Sequence, residues 1–253
     1  MPRTGSTLVA TLLAQNPDIY TEGNSALCQL VWDMHTSCNG ESLEPLLANR
    51  KVETVTRTLL EALPSLYYKG VDTKYIFDKG KNWHSVENRE LFREFIGKTN
   101  KMIVLVRPVT EVVKSLVNLQ VRSGLDEQVY NEFSHPHSAS VMKPFLSTLY
   151  ALSANSEDTL FIHYNGLVNN TGAVIDSIYK FLGMDKFKHT YSSLEQKTLE
   201  DDTVYNMPDM HTVRSEISVN RYDVKLRSDV EAMCSEMDKQ LADCLMQNIG
   251  MKL

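Results

Sequence analysis

The chain lacks several features that would place it in other classes of protein. Its 253 residues hold no apolar run of about 18 residues, so we expect no transmembrane anchor. No charged segment precedes the first apolar helix, which argues against a signal peptide. Positive charge is not in excess either, because the formal net charge is −6, and this argues against a general nucleic-acid binder.

Cysteine pairs with metal-ligand spacing are also missing. None of the four cysteines forms a Cys-x-x-Cys pair, so we expect no zinc site. Their wide spacing favours reduced thiols in a reducing compartment. The four are Cys28, Cys38, Cys234 and Cys244.

The first eight residues have the composition of an anion-binding loop. They read MPRTGSTL and lead into an apolar run that predicts a helix from about Thr7 to Gln15. A helix N terminus presents free N–H groups and a positive dipole end, and both attract phosphate. No Lys precedes the Ser-Thr pair, so this is not a Walker A loop. The alternative is a turn that only caps the helix. The candidate ligands are Arg3, Thr4, Gly5, Ser6 and Thr7.

A second candidate phosphate site follows a short buried strand. The run at 101–106 is apolar and rich in β-branched residues, and it ends in Arg107-Pro108 before a second amphipathic helix. Arg107 is therefore expected at the carboxyl end of a strand, where open α/β sheets bind ligands. Ser115 lies about two helical turns further on, so the two side chains can bind one phosphate together. A surface Arg and a solvated Ser are the alternatives.

Together these motifs resemble the sulfotransferase family. The segment 160–168 followed by a helix ending in Phe181-Leu182-Gly183 is similar to a third family motif, although Tyr164-Asn165 replaces its usual acidic pair. The resemblance implies 3′-phosphoadenosine-5′-phosphosulfate (PAPS) as co-substrate, with no metal. It also implies that the first loop binds the 5′-phosphosulfate end and that Arg107 and Ser115 bind the 3′-phosphate.

The resemblance further suggests two catalytic contacts and a lid. Lys79 follows the predicted strand 74–77, where a family Lys contacts the sulfuryl group. Arg214, in a polar segment near the C terminus, is similar to a family residue that closes over the nucleotide. Arg3 is expected to stabilise the leaving phosphate. Surface positions for Lys79 and Arg214 are the alternatives.

The general base is not given by the motifs. Lys81 occupies the position where cytosolic family members carry a catalytic His. Tyrosylprotein-type members use a Glu shortly after the first helix, which favours Glu22 here, although a helix-capping role is an alternative. His84 is the second candidate. A Glu base requires burial to raise its pKa.

Strands alternating with helices predict an α/β fold with a parallel sheet and helices on both faces, of the three-layer nucleotide-kinase-like sulfotransferase type. We expect one domain over residues 1–253. No strand precedes the phosphate loop, so the first strand of the sheet is expected to be missing and the N terminus to be truncated.

The predicted protein is a cytoplasmic sulfotransferase that acts on a hydroxyl or amine of a small-molecule or peptide acceptor. A P-loop-like nucleotide kinase and a non-catalytic nucleotide-binding module are the alternatives. Neither the acceptor nor the oligomeric state follows from the sequence.

Overall fold

The architecture comes from a computed structural model that describes residues 1–97, 101–198, 200–219 and 222–251. Helices and strands alternate along most of these ranges. A π-helical turn at Phe92–Ile96 and a 3-10 turn at Asp202–Tyr205 add to them. The order is α1 (Ser6–Leu13), β1 (Ile19–Thr21), α2 (Leu27–Cys38), α3 (Leu43–Ala48), α4 (Val52–Tyr67), β2 (Tyr75–Phe77), α5 (Val86–Leu91), β3 (Met102–Val106), α6 (Val109–Arg122), α7 (Ala139–Ala154), β4 (Thr159–His163), α8 (Tyr164–Asn169), α9 (Thr171–Leu182) and α10 (Ser228–Ile249).

The described strands form two parallel pairs. β1 pairs with β2, with Ile19 opposite Tyr75, and β3 pairs with β4, with Met102 opposite Thr159. Strand β3 reads MIVLV, and its β-branched residues suit a strand that is buried on both faces. The expected α/β class with parallel strands is confirmed.

Helices cover both faces of β3. Met102, Val104 and Val106 pack into a core shared with helices α2, α6, α7 and α10. Leu105 points the other way, into a second core with α1 and α9. This alternation follows from the two-residue period of a strand, and it gives the layered arrangement that the sequence predicts.

Most predicted elements are present, with two differences. The sequence pattern predicts a single helix from about Leu43 to Leu60. The structure has two helices there, α3 and α4, because Asn49 bonds back to the Pro45 carbonyl and Arg50 adopts a left-handed conformation at φ 55°. Strand β1 was not predicted, since its three residues are too short to show a period.

The cysteines are free thiols. No helix in the described ranges is long and apolar enough to cross a membrane. The extent of the domain stays a prediction.

Candidate functional site

The phosphate loop is shaped by Gly5, the residue that precedes α1. Gly5 has a φ of 92°, a left-handed conformation that favours glycine. A Cβ at this position would lie 2.9 Å from the Leu167 side chain, so the close packing of the loop against Leu167 also requires glycine. Thr4 Oγ1 donates to the Met1 carbonyl oxygen at 2.9 Å and closes the loop on itself. The loop therefore holds the first N–H groups of α1 at the cavity surface.

The two predicted phosphate motifs meet at Arg3. Arg3 Nε donates to Ser115 Oγ at 3.0 Å, and Arg107 Nη1 donates to the Arg3 carbonyl oxygen at 2.8 Å. These contacts join residues more than 100 positions apart in the chain. The structure thus brings the loop, the strand-end Arg and the helix Ser into contact with one another.

Arg107 is a buried cation with spare hydrogen-bonding capacity. It is 1% exposed, and its Nε donates to Glu111 Oε2 at 2.9 Å. Its Nη2 is buried and has no hydrogen-bond partner among the described residues. An unpaired buried guanidinium N–H costs about 1–3 kcal/mol, which an anionic ligand at this position offsets.

Two tyrosines complete the surroundings of Arg107. The guanidinium carbon lies 3.9 Å from the Tyr164 ring centroid and 5.6 Å from that of Tyr222. Burial by itself raises the pKa of the Tyr222 phenol. The hydrogen bond with the Ser115 hydroxyl and the charges of Arg107 and Arg3 lower it by more, so the net effect is a lowered pKa. The site therefore favours a negatively charged oxygen. Sequence reasoning missed Tyr222, which lies in a segment without periodicity.

Lys79 follows β2 and is held in the site by an acidic partner. It is 7% exposed, and its Nζ lies 2.6 Å from Glu200 Oε2. Burial lowers the pKa of Lys79, and Glu200 opposes that effect in part. Glu200 Oε1 in turn accepts the backbone N–H of Asn24 at 2.8 Å. No local pattern in the sequence indicates Glu200 as the partner of Lys79, because the two residues are 121 positions apart.

A buried histidine and aspartate lie beside this ion pair. Nδ1 of His211 is 2.6 Å from Asp202 Oδ1, and Asp202 Oδ2 accepts the His211 backbone N–H at 2.8 Å. Burial lowers the pKa of His211, although Asp202 opposes the effect. In a neutral His211 with its proton on Nδ1, Nε2 is the acceptor nitrogen, and it accepts a hydrogen bond from Asn24 Nδ2 at 3.1 Å. A proton on Nε2 would therefore have to replace this hydrogen bond.

The two bases suggested by the sequence have different surroundings. Glu22 follows β1, and its Oε2 accepts the Tyr20 hydroxyl at 3.2 Å. Its Oε1 is buried and has no hydrogen-bond partner among the described residues. Glu22 is not among the described residues that line the cavity, but Asn24 is.

His84 lies against helix α7. Its Nε2 is 3.3 Å from the Pro144 carbonyl oxygen, and burial together with the Met1 amino group lowers its pKa to about 3. Lys81, at the expected His position, has its Nζ 5.4 Å from the Tyr205 ring centroid.

One cavity of about 1480 Å³ joins most of these groups. It is lined by the loop from Arg3 to Thr7, by Lys79 and Arg107, and at its rim by the exposed Arg214. Within the described ranges, no group of three or more His, Cys, Asp and Glu residues is arranged to hold a metal ion. The chemistry of this cavity is that of an anion site with nearby proton acceptors.

No curated protein matches the chain. Two solved structures share its fold at low identity. The Sulfotransferase Domain from the Synechococcus PCC 7002 Olefin Synthase has a TM-score of 0.56 and 15% identity, and the alignment covers 95% of this chain and 91% of that one. The Sulfotransferase Domain from the Curacin Biosynthetic Pathway has a TM-score of 0.57 and 16% identity, with 95% and 94% covered.

At these identities, the two structures show that the chain shares their fold and nothing more. The sequence itself matches the profile of the sulfotransferase family over residues 1–189. Because the match spans well over half of the 253 residues, the chain belongs to the sulfotransferase family.

Proposed function

We propose that the protein transfers the sulfuryl group of PAPS to a hydroxyl or amine of a small-molecule or peptide acceptor and releases adenosine 3′,5′-bisphosphate. Family and fold support sulfotransfer as the general activity. The donor, the acceptor class, the residue roles and a cytoplasmic location are parts of the proposal.

One observation carries the choice of donor. Arg3 links the helix N terminus of the phosphate loop to Ser115 and, through its carbonyl group, to Arg107. In this proposal two anion sites lie side by side, one formed by backbone N–H groups and one by side chains. A nucleotide with phosphates on both its 5′ and its 3′ oxygen suits such a double site.

The residues present fit PAPS by two criteria. The buried Arg107 Nη2 lacks a partner among the described residues, and an additional phosphate oxygen gives it one. The positive φ of Gly5 turns the first N–H groups of α1 toward an anion. In this proposal the loop residues Arg3 to Thr7 hold the 5′ end, Arg107 and Ser115 hold the 3′-phosphate, and Arg214 closes from the rim.

When bound, PAPS supplies an activated sulfuryl group on a phosphate leaving group. Lys79 then provides positive charge next to the phosphate loop, where negative charge develops as the sulfur–oxygen bond breaks. The Glu200 carboxylate, 2.6 Å from Lys79 Nζ, holds the lysine side chain in this position. No metal ion is required in this scheme, because Arg3 and Lys79 supply the positive charge.

Glu22 is the proposed general base, and His211 is the competing one. The buried, unpartnered Oε1 of Glu22 supports the first assignment. The Asp202 contact supports the second, because a carboxylate on Nδ1 keeps Nε2 ready to accept a proton. His84 is the third candidate, and its position against α7 favours a role in packing.

The test is transfer of radioactive sulfate from labelled PAPS to a panel of phenols, alcohols, amines and tyrosine peptides, without divalent metal. We expect label in at least one acceptor and release of adenosine 3′,5′-bisphosphate in equal amount. Tight nucleotide binding without transfer would favour the non-catalytic module. Transfer of phosphate from ATP with magnesium would favour the nucleotide kinase.

A further inference from the structure

A small side pocket adjoins the large cavity near the start of helix α2. It has a volume of about 250 Å³. Sites for drug-sized ligands measure about 300–1,000 Å³, so this pocket suits one small chemical group. Its described lining residues are Asn24, Ser25, Ala26, Cys28, Gln29, Lys81, Asn82 and Tyr205. Asn24, Lys81, Asn82 and Tyr205 line the large cavity as well, so a ligand can occupy both spaces.

The side pocket has positive charge on its walls. Among its described lining residues Lys81 is the one cation, and none of them is an Asp or a Glu. This contrasts with the whole chain, which has 32 acidic residues and a net charge of −6. A concave surface with charge of one sign concentrates ligands of the opposite sign. The side pocket therefore favours an anion.

Lys81 lacks an acidic partner of its own. It forms no ion pair with the residues that the structure describes. Its pKa is lowered, chiefly because protein atoms displace water around the amino group, and the charges of Glu200 and Asp202 oppose this only in part. Each of those carboxylates has a closer partner. Glu200 Oε2 lies 2.6 Å from Lys79 Nζ, and Asp202 Oδ1 lies at the same distance from His211 Nδ1. A bound anion would thus supply the partner that Lys81 lacks.

Two neutral hydrogen-bond donors border the same space. Within the described ranges, the side chains of Asn82 and Tyr205 form no hydrogen bonds. Lys81 Nζ lies 5.4 Å from the Tyr205 ring centroid, so the ammonium group and the phenol are neighbours. An ammonium, an amide N–H and a phenol O–H can all donate to one carboxylate, which has about four lone-pair positions. A single lysine charge also matches a singly charged acid group better than a phosphate.

Asn24 lies between the side pocket and the groups proposed to act in sulfotransfer. It borders both spaces, its Nδ2 is 3.1 Å from His211 Nε2, and its backbone N–H donates to Glu200 Oε1 at 2.8 Å. The next residue, Ser25, donates its backbone N–H to the Lys79 carbonyl oxygen at 3.1 Å. A small molecule with an acid group in the side pocket therefore needs to extend past one residue to approach Lys79.

We propose that the acceptor is a small hydroxy carboxylic acid whose carboxylate binds Lys81, Asn82 and Tyr205 in the side pocket. This inference rests on the proposed sulfotransferase function and narrows its acceptor class. In the transfer step the acceptor oxygen forms a bond to sulfur, the bond from sulfur to the phosphate oxygen breaks, and the hydroxyl proton passes to the general base. The carboxylate is unchanged in this step, so Lys81 determines specificity.

The experiment compares hydroxy acids with their neutral amides. The probes are hydroxybenzoates, hydroxyphenylacetates and 3-hydroxybutyrate, each paired with its primary amide, which has nearly the same shape and no charge. With labelled PAPS as donor, we expect kcat/KM for at least one acid to exceed that for its amide about tenfold or more.

Three variants assign this preference to one side chain. Lys81→Met keeps the length and removes the charge, and it should reduce the acid-to-amide ratio about tenfold. Lys81→Arg keeps the charge and should still favour the acid. Lys69→Met is the matched control, because Lys69 is exposed and is not among the described residues that line either space. It should keep the ratio of the parent. Urea unfolding shows whether each variant is folded.

A binding assay separates this inference from the proposed function. The same pairs are titrated by calorimetry into the chain with saturating adenosine 3′,5′-bisphosphate, which requires no transfer. If label reaches no acceptor, sulfotransfer fails, and the titration alone decides whether a carboxylate binds at Lys81. The inference is overturned if no acid binds more tightly than its amide, if Lys81→Met keeps the full preference for the acid, or if Lys69→Met loses that preference as well.

Discussion

Replacing Arg107 should weaken nucleotide binding through the 3′-phosphate alone. Arg107 is 1% exposed and its Nη2 is unpaired among the described residues, so a bound phosphate would gain a charge-assisted bond in a site with little water. Such a bond contributes about 1.5–3 kcal/mol. At about 1.4 kcal/mol for each factor of ten, Arg107→Ala should raise the Kd for adenosine 3′,5′-bisphosphate roughly 10- to 100-fold.

The assay is calorimetric titration with adenosine 3′,5′-bisphosphate and with adenosine 5′-monophosphate, which lacks the 3′-phosphate. We expect the monophosphate Kd to change less than about threefold, because it never contacts the lost group. Arg107 also bonds to Arg3 and Glu111, so the variant is less stable, and urea unfolding must show that it is folded at the titration temperature.

Glu111→Gln is the matched control, since it removes the ion pair and keeps the guanidinium. It should bind both nucleotides nearly as the parent does. Equal loss of affinity for both nucleotides in Arg107→Ala would refute the assignment of Arg107 to the 3′-phosphate.

Three further predictions follow from the same site. Lys79→Ala should reduce turnover at saturating PAPS far more than it weakens binding of the product nucleotide, because its charge matters as the leaving group forms; unchanged turnover would remove it from the mechanism. Glu22→Gln should reduce turnover about 10²–10⁴-fold with nucleotide affinity preserved; if it stays near the parent while the much reduced residual activity of His211→Gln lacks the acidic limb of the pH–rate profile, His211 is the base. His84 has a folded pKa of about 3 against about 6.5 unfolded, so the unfolded chain binds its proton first as the pH falls. The parent should lose about 2 kcal/mol more than His84→Gln between pH 7.5 and pH 5 in urea unfolding, and identical pH dependence would contradict this.

The sequence predicted those parts of the site that depend on local order. A loop that leads into a helix, and an Arg that follows a buried strand, are each set by neighbouring residues. The topology of parallel strands then brings them to one edge, and Arg3 does contact Ser115 and Arg107. Strand β4 and helix α10 also depend on local order, since each has a continuous pattern along the sequence.

The remaining groups of the site could not be predicted because they depend on distant contacts. Glu200, His211 and Tyr222 lie in a polar stretch without helix or strand period, which the sequence describes only as irregular. Glu200 pairs with Lys79 across 121 positions, and no local rule sets such a pairing. Strand β1 was missed because three residues carry too little pattern, although its pairing with β2 positions Glu22 and Lys79.

We propose above that this sulfotransferase binds a nucleotide with phosphates at both ends of the ribose and needs no metal to do so. Its most direct test is titration of the parent chain with adenosine 3′,5′-bisphosphate, adenosine 5′-monophosphate and ATP in the presence of EDTA. We expect the bisphosphate to bind at least about tenfold more tightly than either competitor, since only it reaches both proposed anion sites. Equal binding of the bisphosphate and the monophosphate, or tight ATP binding that requires magnesium, would contradict it.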